Sequence, residues 1–441
     1  MIFNFSKYNI KNKKGKRKMS QDYDFAQTQV PEQNRKGFWA MFVIMLGFTF
    51  FSASMWTGQQ MGVGLPLGKF VSAVLLSNII LGVYTSLLAL MASETGLSVH
   101  LLARNSFGVK GSWLPSFLLG FTQVGWFGVG VAMFAFPVQK WLAAKGINCP
   151  IWIPVLLSGI AFTSSAYFGI KALAIISIVA VPAIAIGGGF SALKVFCDNQ
   201  GAWNTLCNYA PEASVAITLP TAVAMGVGSF ISGGTCTPDF VRFANNKKTA
   251  ISTTAIAFFI GNSLMFIFGA VGGMFYKTND ISEVMVIQGL LVPGIIVLGL
   301  NIWTTNDNAL YTSGLGLANI TGLPKKYMVL FNGALGTVFA VWLYNNFCGW
   351  LSMLNTTLPP IGAVLMADYF FFKRGKYLAK EEISSSVVNV KAIISWAVGV
   401  AVANFIKFGL TAINGMIVAV VVYTLLTKLC SCKCGCCKAE K

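Results

Sequence analysis

Long apolar runs recur along almost the whole chain, and short polar segments separate them. A helix needs about 20 apolar residues to cross the hydrocarbon core of a bilayer. The pattern therefore predicts an all-α polytopic membrane protein with twelve transmembrane helices. These spans are expected near residues 38–64, 70–93, 112–138, 151–168, 170–193, 216–238, 249–275, 291–318, 326–345, 347–371, 391–408 and 412–429.

The first run is interrupted in its middle by glycines and small polar residues, between Gly47 and Gly58. Ser and Thr compete for backbone hydrogen bonds and Gly costs entropy, so this stretch favours a broken helix. A similar cluster, Met225 to Thr235, interrupts the sixth run and predicts a second break. Paired broken helices indicate the binding site of a secondary transporter, because freed backbone groups at membrane depth must face protein or water.

The count of spans divides the chain into two blocks of five. Since five is odd, the second block enters the membrane from the opposite side, which is an inverted repeat. The predicted segments are a disordered basic tail (1–36), the first block (37–193), an external linker (194–215), the second block (216–371), two further spans (372–429) and a cysteine-rich tail (430–441).

Composition and charge agree with a membrane protein. Hydrophobic residues make up 55% of the chain and charged residues only 10%, against about 25% charged in a soluble domain. The net charge of +18 does not indicate nucleic acid, because Lys and Arg concentrate in the tails and in alternate loops. This distribution places both termini in the cytoplasm and allows attraction to anionic lipid of the bilayer.

The sequence offers little for enzymatic chemistry. It has no phosphate-binding loop, no nucleophile elbow and one histidine, His100, so we predict that the protein is not an enzyme. Five of its ten cysteines crowd the C-terminus at spacings that match no zinc pattern, and we predict no cofactor and no resident metal. A channel is the alternative from another class, although repeated filter residues are not evident.

Two spans carry residues that suit a flat aromatic ligand. Gln123 and Trp126 lie at i and i+3 in the third span, so an indole face and an amide share one side of the helix. Ser229, Phe230 and Ser232 lie in the predicted break of the sixth span, where a second ring and two hydroxyls can meet the ligand. Ordinary helix packing explains the same residues about as well.

The eighth span contains the most polar stretch of any span and predicts a cation site. Asn301, Thr304 and Thr305 lie at i, i+3 and i+4, so one face presents three oxygen ligands. Backbone carbonyls of the first break, around Phe51 and Ser54, are expected to complete a sodium shell. Hydrogen bonding between helices is the competing interpretation.

Two acids at membrane depth keep proton coupling open. Asp307 lies in the polar stretch of the eighth span, and Asp239 follows the sixth-span cluster, three residues before Arg242. We expect structural or gating roles for both acids, with Asp239 paired to Arg242 and Asp307 bonded by nearby amides.

Five motifs resemble nucleobase:cation symporter family 1. They are Phe50 to Gly58, His100 to Arg104, Thr122 to Gly130, Gly228 to Ser232 and Leu300 to Leu310, and the likeness extends from about Met19 to the last span. The resemblance implies a five-plus-five inverted-repeat (LeuT-like) fold with helices 1 and 6 broken. It also implies sodium-coupled import of cytosine across a bacterial inner membrane by alternating access, and we expect the protein to act as a monomer.

By similarity, each candidate residue acquires a role. Trp126 and Phe230 would sandwich the pyrimidine, while Gln123, Ser229, Ser232 and Asn301 would bond its polar edge. The sodium ion would lie between the first and eighth helices, held by Phe51, Ser54, Asn301, Thr304 and Thr305. A relative that carries a purine, hydantoin or allantoin would keep this architecture and change the polar edge.

Overall fold

The computed structural model describes residues 25–168, 170–377, 387–406 and 408–433. Within these residues the apolar runs form helices, because lipid offers the backbone no hydrogen-bond partner and a helix satisfies its own. Six helices are long and apolar enough to cross a membrane, and one bent pair adds a seventh candidate. The other predicted spans are helical too, but shorter, interrupted or more polar.

The twelve predicted spans are confirmed within these residues, with ends that differ by a few positions. Span numbers below refer to these helices. They are Phe38–Thr49 with Ser52–Gly64 (1), Leu67–Thr95 (2), Trp113–Ala144 (3), Trp152–Phe168 (4), Ile170–Asp198 (5), Leu219–Thr235 with Thr237–Val241 (6), Lys247–Tyr276 (7), Leu291–Thr321 (8), Lys325–Asn345 (9), Phe347–Thr357 with Pro359–Ala367 (10), Val390–Phe405 (11) and Thr411–Lys433 (12).

Three short helices connect the spans. Val99–Phe107 joins spans 2 and 3 at one end of the bundle. Ala202–Cys207 lies between spans 5 and 6, and Ile281–Ile287 lies between spans 7 and 8. Because span 5 continues to Asp198, the connection to span 6 begins later than the predicted linker.

Span 1 breaks where the sequence predicts. Its first half ends at Thr49, its second half begins at Ser52, and the two halves are bent by 50°. Phe51 has extended dihedral angles, φ −120° and ψ 122°, which are incompatible with a continuous helix. The break lies in the packed interior of the bundle.

Span 6 breaks at a different place from the predicted one. The cluster from Met225 to Thr235 is helical throughout, and the interruption falls at Cys236, before the short helix Thr237–Val241. Pro238 lies in the first turn of that helix, a position that proline favours. Ser229, Phe230 and Ser232 therefore project from regular helix, and the prediction that they lie inside a break was wrong.

The predicted N-terminal tail also needs correction. The structure begins at Phe25, so most of that tail lies outside the described residues, but its last part packs against the bundle. Val30 is fully buried, and its N–H donates to the carbonyl of Gly96 over 3.0 Å. Gln27 Nε2 donates to the carbonyl of Ala318 over 3.2 Å. These contacts attach the segment to carbonyls at the ends of spans 2 and 8.

At the other end, span 12 continues past the predicted start of the cysteine-rich tail. The helix extends to Lys433, because no glycine or proline intervenes before Gly435. The remainder of the tail lies outside the described residues.

Candidate binding site at the first helix break

A cavity of about 30 Å³ lies beside the break of span 1 and is enclosed by spans 1, 3, 6 and 8. This volume holds about two water molecules, so a ligand of one ring requires side chains to move. Six of the predicted site residues line it: Phe51, Gln123, Trp126, Ser229, Phe230 and Thr305. Four separate helices thus bring their predicted residues to one place.

Aromatic rings form most of the cavity wall. Trp126 and Phe230 are 4% and 3% exposed, and Phe51 stands edge-on to both of them. Its ring centroid is 5.1 Å from that of Trp126 and 6.0 Å from that of Phe230. Phe48 contacts Phe230 from the other side, with centroids 5.1 Å apart. Phe51 thus packs against both of the rings that the sequence predicts as stacking partners.

Span 3 brings the amide of Gln123 to this space. Gln123 on span 3 lines the cavity, and its Nε2 donates to Ser232 Oγ on span 6 over 2.7 Å. Ser232 is fully buried and is also within 2.9 Å of Thr122 Oγ1. Ser232 does not line the cavity, so it contacts the site through Gln123.

Asn301 lies at the break itself, outside the cavity wall. Its Nδ2 donates to the carbonyl of Phe50 over 2.5 Å, and its Oδ1 accepts from the N–H of Ser52 over 2.9 Å. One amide thus satisfies the carbonyl before the break and the N–H after it. This contact explains why the freed backbone groups are tolerated at this depth.

Oxygen atoms surround Asn301 on both helices. The hydroxyls of Thr304 and Thr305 lie 2.8 and 3.1 Å from the Asn301 carbonyl. On span 1, the hydroxyls of Ser52 and Ser54 are buried and have no hydrogen-bond partner among the described residues. Span 8 thus presents Asn301, Thr304 and Thr305 on one face, and Ser52 and Ser54 add two buried hydroxyls at the start of the second half of span 1.

A family model described as a permease for cytosine/purines, uracil, thiamine and allantoin matches residues 29–428. The chain belongs to this permease family. The match covers spans 1 to 11 and most of span 12, and it includes each helix that forms the cavity.

Relatives of this permease are known in sequence and in structure. A cytosine permease of Escherichia coli (strain K12) is 51% identical over 412 residues, which cover 93% of this chain and 96% of that one. Mhp1, a nucleobase-cation-symport-1 family transporter with bromovinylhydantoin bound, matches with a TM-score of 0.79 at 19% identity over 92% of this chain and 95% of that chain. A Na⁺-coupled sialic acid symporter matches with a TM-score of 0.68 at 12% identity, over 92% of each chain. These structures confirm the predicted LeuT-like fold.

Sequence reasoning missed part of the permease's cavity wall. Asn306 and Asn308 line it on span 8, and Phe48 lines it on span 1; Gly233 and Ala309 complete it. Helical spacing was the available signal for Asn308, because it lies three residues from Thr305 on span 8.

The two acids of the permease lie away from the cavity. Asp307 is buried, with Oδ1 accepting from Ser165 Oγ on span 4 over 2.6 Å, so its partner is a hydroxyl instead of the expected amide. Asp239 Oδ1 accepts from the N–H of Val99 over 2.9 Å. Arg242 Nε donates to the backbone carbonyl of Asp239 over 3.1 Å.

Proposed function

We propose that this permease imports cytosine together with sodium by alternating access. The observation that supports it most directly is the cavity at the first break, which combines two aromatic faces with one oriented amide. The 51% identity to a cytosine permease over nearly the whole chain supports the choice of base. Binding and transport, without a chemical reaction, agree with relatives that are all permeases or transporters.

Cytosine is flat, small and uncharged, and the site suits such a ligand. Trp126 and Phe230 would stack on its two faces once the Phe51 ring turns aside, at about 1–3 kcal/mol for each stacked base. Gln123 and the helix around Ser229 would bond its polar edge. Ser232 and Asn301 would act indirectly, through Gln123 and through the backbone of the break.

Sodium would bind between spans 1 and 8. Its ligands would be the hydroxyls of Thr304 and Thr305, the Asn301 side chain, and backbone oxygens around Phe51 and Ser54. A cation at this point would order the break, and the break forms one wall of the base site. Each ligand would then favour the other, since coupling between two sites is reciprocal.

The direction of transport follows from the proposed orientation. We place both termini in the cytoplasm of a bacterial inner membrane, as the distribution of Lys and Arg suggests. A larger cavity of about 830 Å³ then faces outward, lined by neutral polar groups such as Gln60, Thr218 and Asn404. The two blocks, 37–193 and 216–371, would move against each other within one chain acting as a monomer.

Uptake of radiolabelled cytosine into proteoliposomes tests this function. We expect accumulation with an inward sodium gradient and none with an equal proton gradient in sodium-free buffer. Accumulation with the proton gradient alone would contradict sodium coupling and direct attention to Asp307 and Asp239. Excess unlabelled purine, hydantoin or allantoin should leave uptake unchanged. Strong competition by one of these compounds would indicate that this compound, and not cytosine, is the substrate.

The stacking role is tested by Trp126→Ala. Loss of one stacked face should lower cytosine affinity about 5- to 150-fold, because a stacked base contributes about 1–3 kcal/mol. Trp342→Ala is the matched control, since that ring is 61% exposed on span 9. Equal uptake by the two variants, at equal amounts of protein in the membrane, would remove Trp126 from the site.

A further inference from the structure

A chain of buried hydroxyls holds the amide of Gln123. Gln123 Nε2 contacts Ser232 Oγ at 2.7 Å, and Ser232 Oγ contacts Thr122 Oγ1 at 2.9 Å. Thr122 Oγ1 in turn lies 2.9 Å from the backbone carbonyl of Leu119. The side chains of Gln123, Ser232 and Thr122 are all more than nine-tenths buried, so bulk water does not compete for these bonds.

The three hydrogen bonds can all form together in only one order of donors and acceptors. A carbonyl can only accept, so the single hydrogen of Thr122 is used on Leu119. Thr122 Oγ1 must then accept the single hydrogen of Ser232, and Ser232 Oγ can only accept from Gln123. Ser232 therefore fixes the orientation of the Gln123 amide, whose NH₂ group must face Ser232.

In this orientation the Gln123 amide presents only its oxygen to the cavity. The second direction of the Gln123 NH₂ group is towards Cys236 Sγ, at 3.9 Å. Both amide hydrogens thus point at span 6, and no described residue is recorded as donating to Gln123 Oε1. The cavity therefore receives a fixed acceptor, whereas an untethered glutamine could turn and present either its oxygen or its nitrogen.

We propose that Thr122 and Ser232 are positioning residues that make the site select bases with a hydrogen-bond donor at this point, an exocyclic amino group. This inference rests on the proposed function, and it names the feature that separates cytosine from uracil. Cytosine presents an amino group at C4, which donates to Oε1. Uracil presents a carbonyl there, so two acceptors would face each other in a buried site and both would lose a bond.

Competition of unlabelled cytosine and uracil against labelled cytosine uptake tests the inference. The quantity measured is the ratio of the two inhibition constants, which reports only on folded, working protein. Thr122→Val keeps the side-chain shape and removes the hydroxyl, which frees the Ser232 hydrogen for the Gln123 oxygen. We expect the preference for cytosine over uracil to fall about tenfold or more, because the amide can then turn. Ser232→Ala removes the tether itself and should have the same effect.

Two variants show whether the effect belongs to the hydroxyl chain. Thr122→Ser restores the hydroxyl and should restore the wild-type ratio. Thr253→Val removes a buried hydroxyl that bonds only carbonyls of its own helix, span 7, and should leave the ratio unchanged. A wild-type ratio in both Thr122→Val and Ser232→Ala would overturn the inference. Wild-type protein whose uptake is not inhibited by cytosine at all would instead overturn the proposed function.

Discussion

Spans 1 and 6 are both interrupted, but the two breaks have different physical causes. The first lies between Thr49 and Ser52, where neither glycine nor proline occurs, and Asn301 of another helix receives the freed backbone groups. The second lies at Cys236, directly before the short helix Thr237–Val241, whose second residue is Pro238, and local chain chemistry suffices to explain it. A helix can thus be broken by a distant partner or by its own sequence.

The glycines of span 6 allow close helix packing and do not interrupt the helix. A Cβ added at Gly226 would lie 2.3 Å from Ser77 Oγ on span 2, and one added at Gly234 would lie 3.0 Å from Thr85 Cγ2. They let span 2 approach closely, as small residues commonly do between membrane helices. Small residues in an apolar run therefore mark contact as readily as interruption.

The largest effect is expected at the first break. Asn301→Ala leaves the Phe50 carbonyl and the Ser52 N–H unpaired in a buried place, at a cost of about 2–6 kcal/mol for the two groups. We expect loss of cytosine uptake together with a lower thermal unfolding temperature. Asn346→Ala is the control, because that amide is exposed and bonds the carbonyl of Trp342 in the last turn of span 9. An Asn301→Ala protein as stable as this control would show that the break does not depend on span 8.

A smaller effect is expected in span 6. Gly226→Ala should gain about 1 kcal/mol of helix propensity but lose about 1–3 kcal/mol to crowding against Ser77. The net change in the free energy of unfolding should be destabilising by up to about 2 kcal/mol. Ser77→Gly removes the crowding atoms, so the double variant should cost less than the sum of the single ones. Additive costs would contradict the packing explanation.

The smallest expected effect is a dependence of stability on pH, which should arise near the second break and not at the first. Beyond the second break, Asp239 Oδ2 lies 3.8 Å from His100 Nε2, and both atoms lack a hydrogen-bond partner among the described residues. Burial lowers the pKa of His100, although the charge of Asp239 opposes the change. The unfolded chain therefore binds a proton first, and stability falls as pH drops below about 6.5, by up to about 1.4 kcal/mol per pH unit.

His100→Gln should flatten that dependence. Unfolding temperatures of the wild type and the variant, measured between pH 5 and 7.5, provide the comparison. The amide contacts of the first break do not titrate, so Asn301 variants should keep the wild-type slope. An unchanged slope in His100→Gln would assign the pH dependence to another group.

The sequence was enough to predict the spans, the first break and two rings of the cavity wall, Trp126 and Phe230. These follow from the length of apolar runs and from helical spacing, as with Gln123 and Trp126, and both are local properties. The roles of Asn301 and Ser232 could not be predicted in this way, because each side chain is hydrogen-bonded to another helix and does not line the cavity. Which groups a polar side chain meets depends on the packing of helices far apart in sequence, and no local pattern encodes that.

The N-terminal segment described above also bears on the order of biogenesis. It leaves the ribosome before any span, yet Gln27 bonds the carbonyl of Ala318, which is translated 291 residues later. The segment can complete its docking only after span 8 has been inserted. A segment that is synthesised before every span is thus among the last to reach its final position.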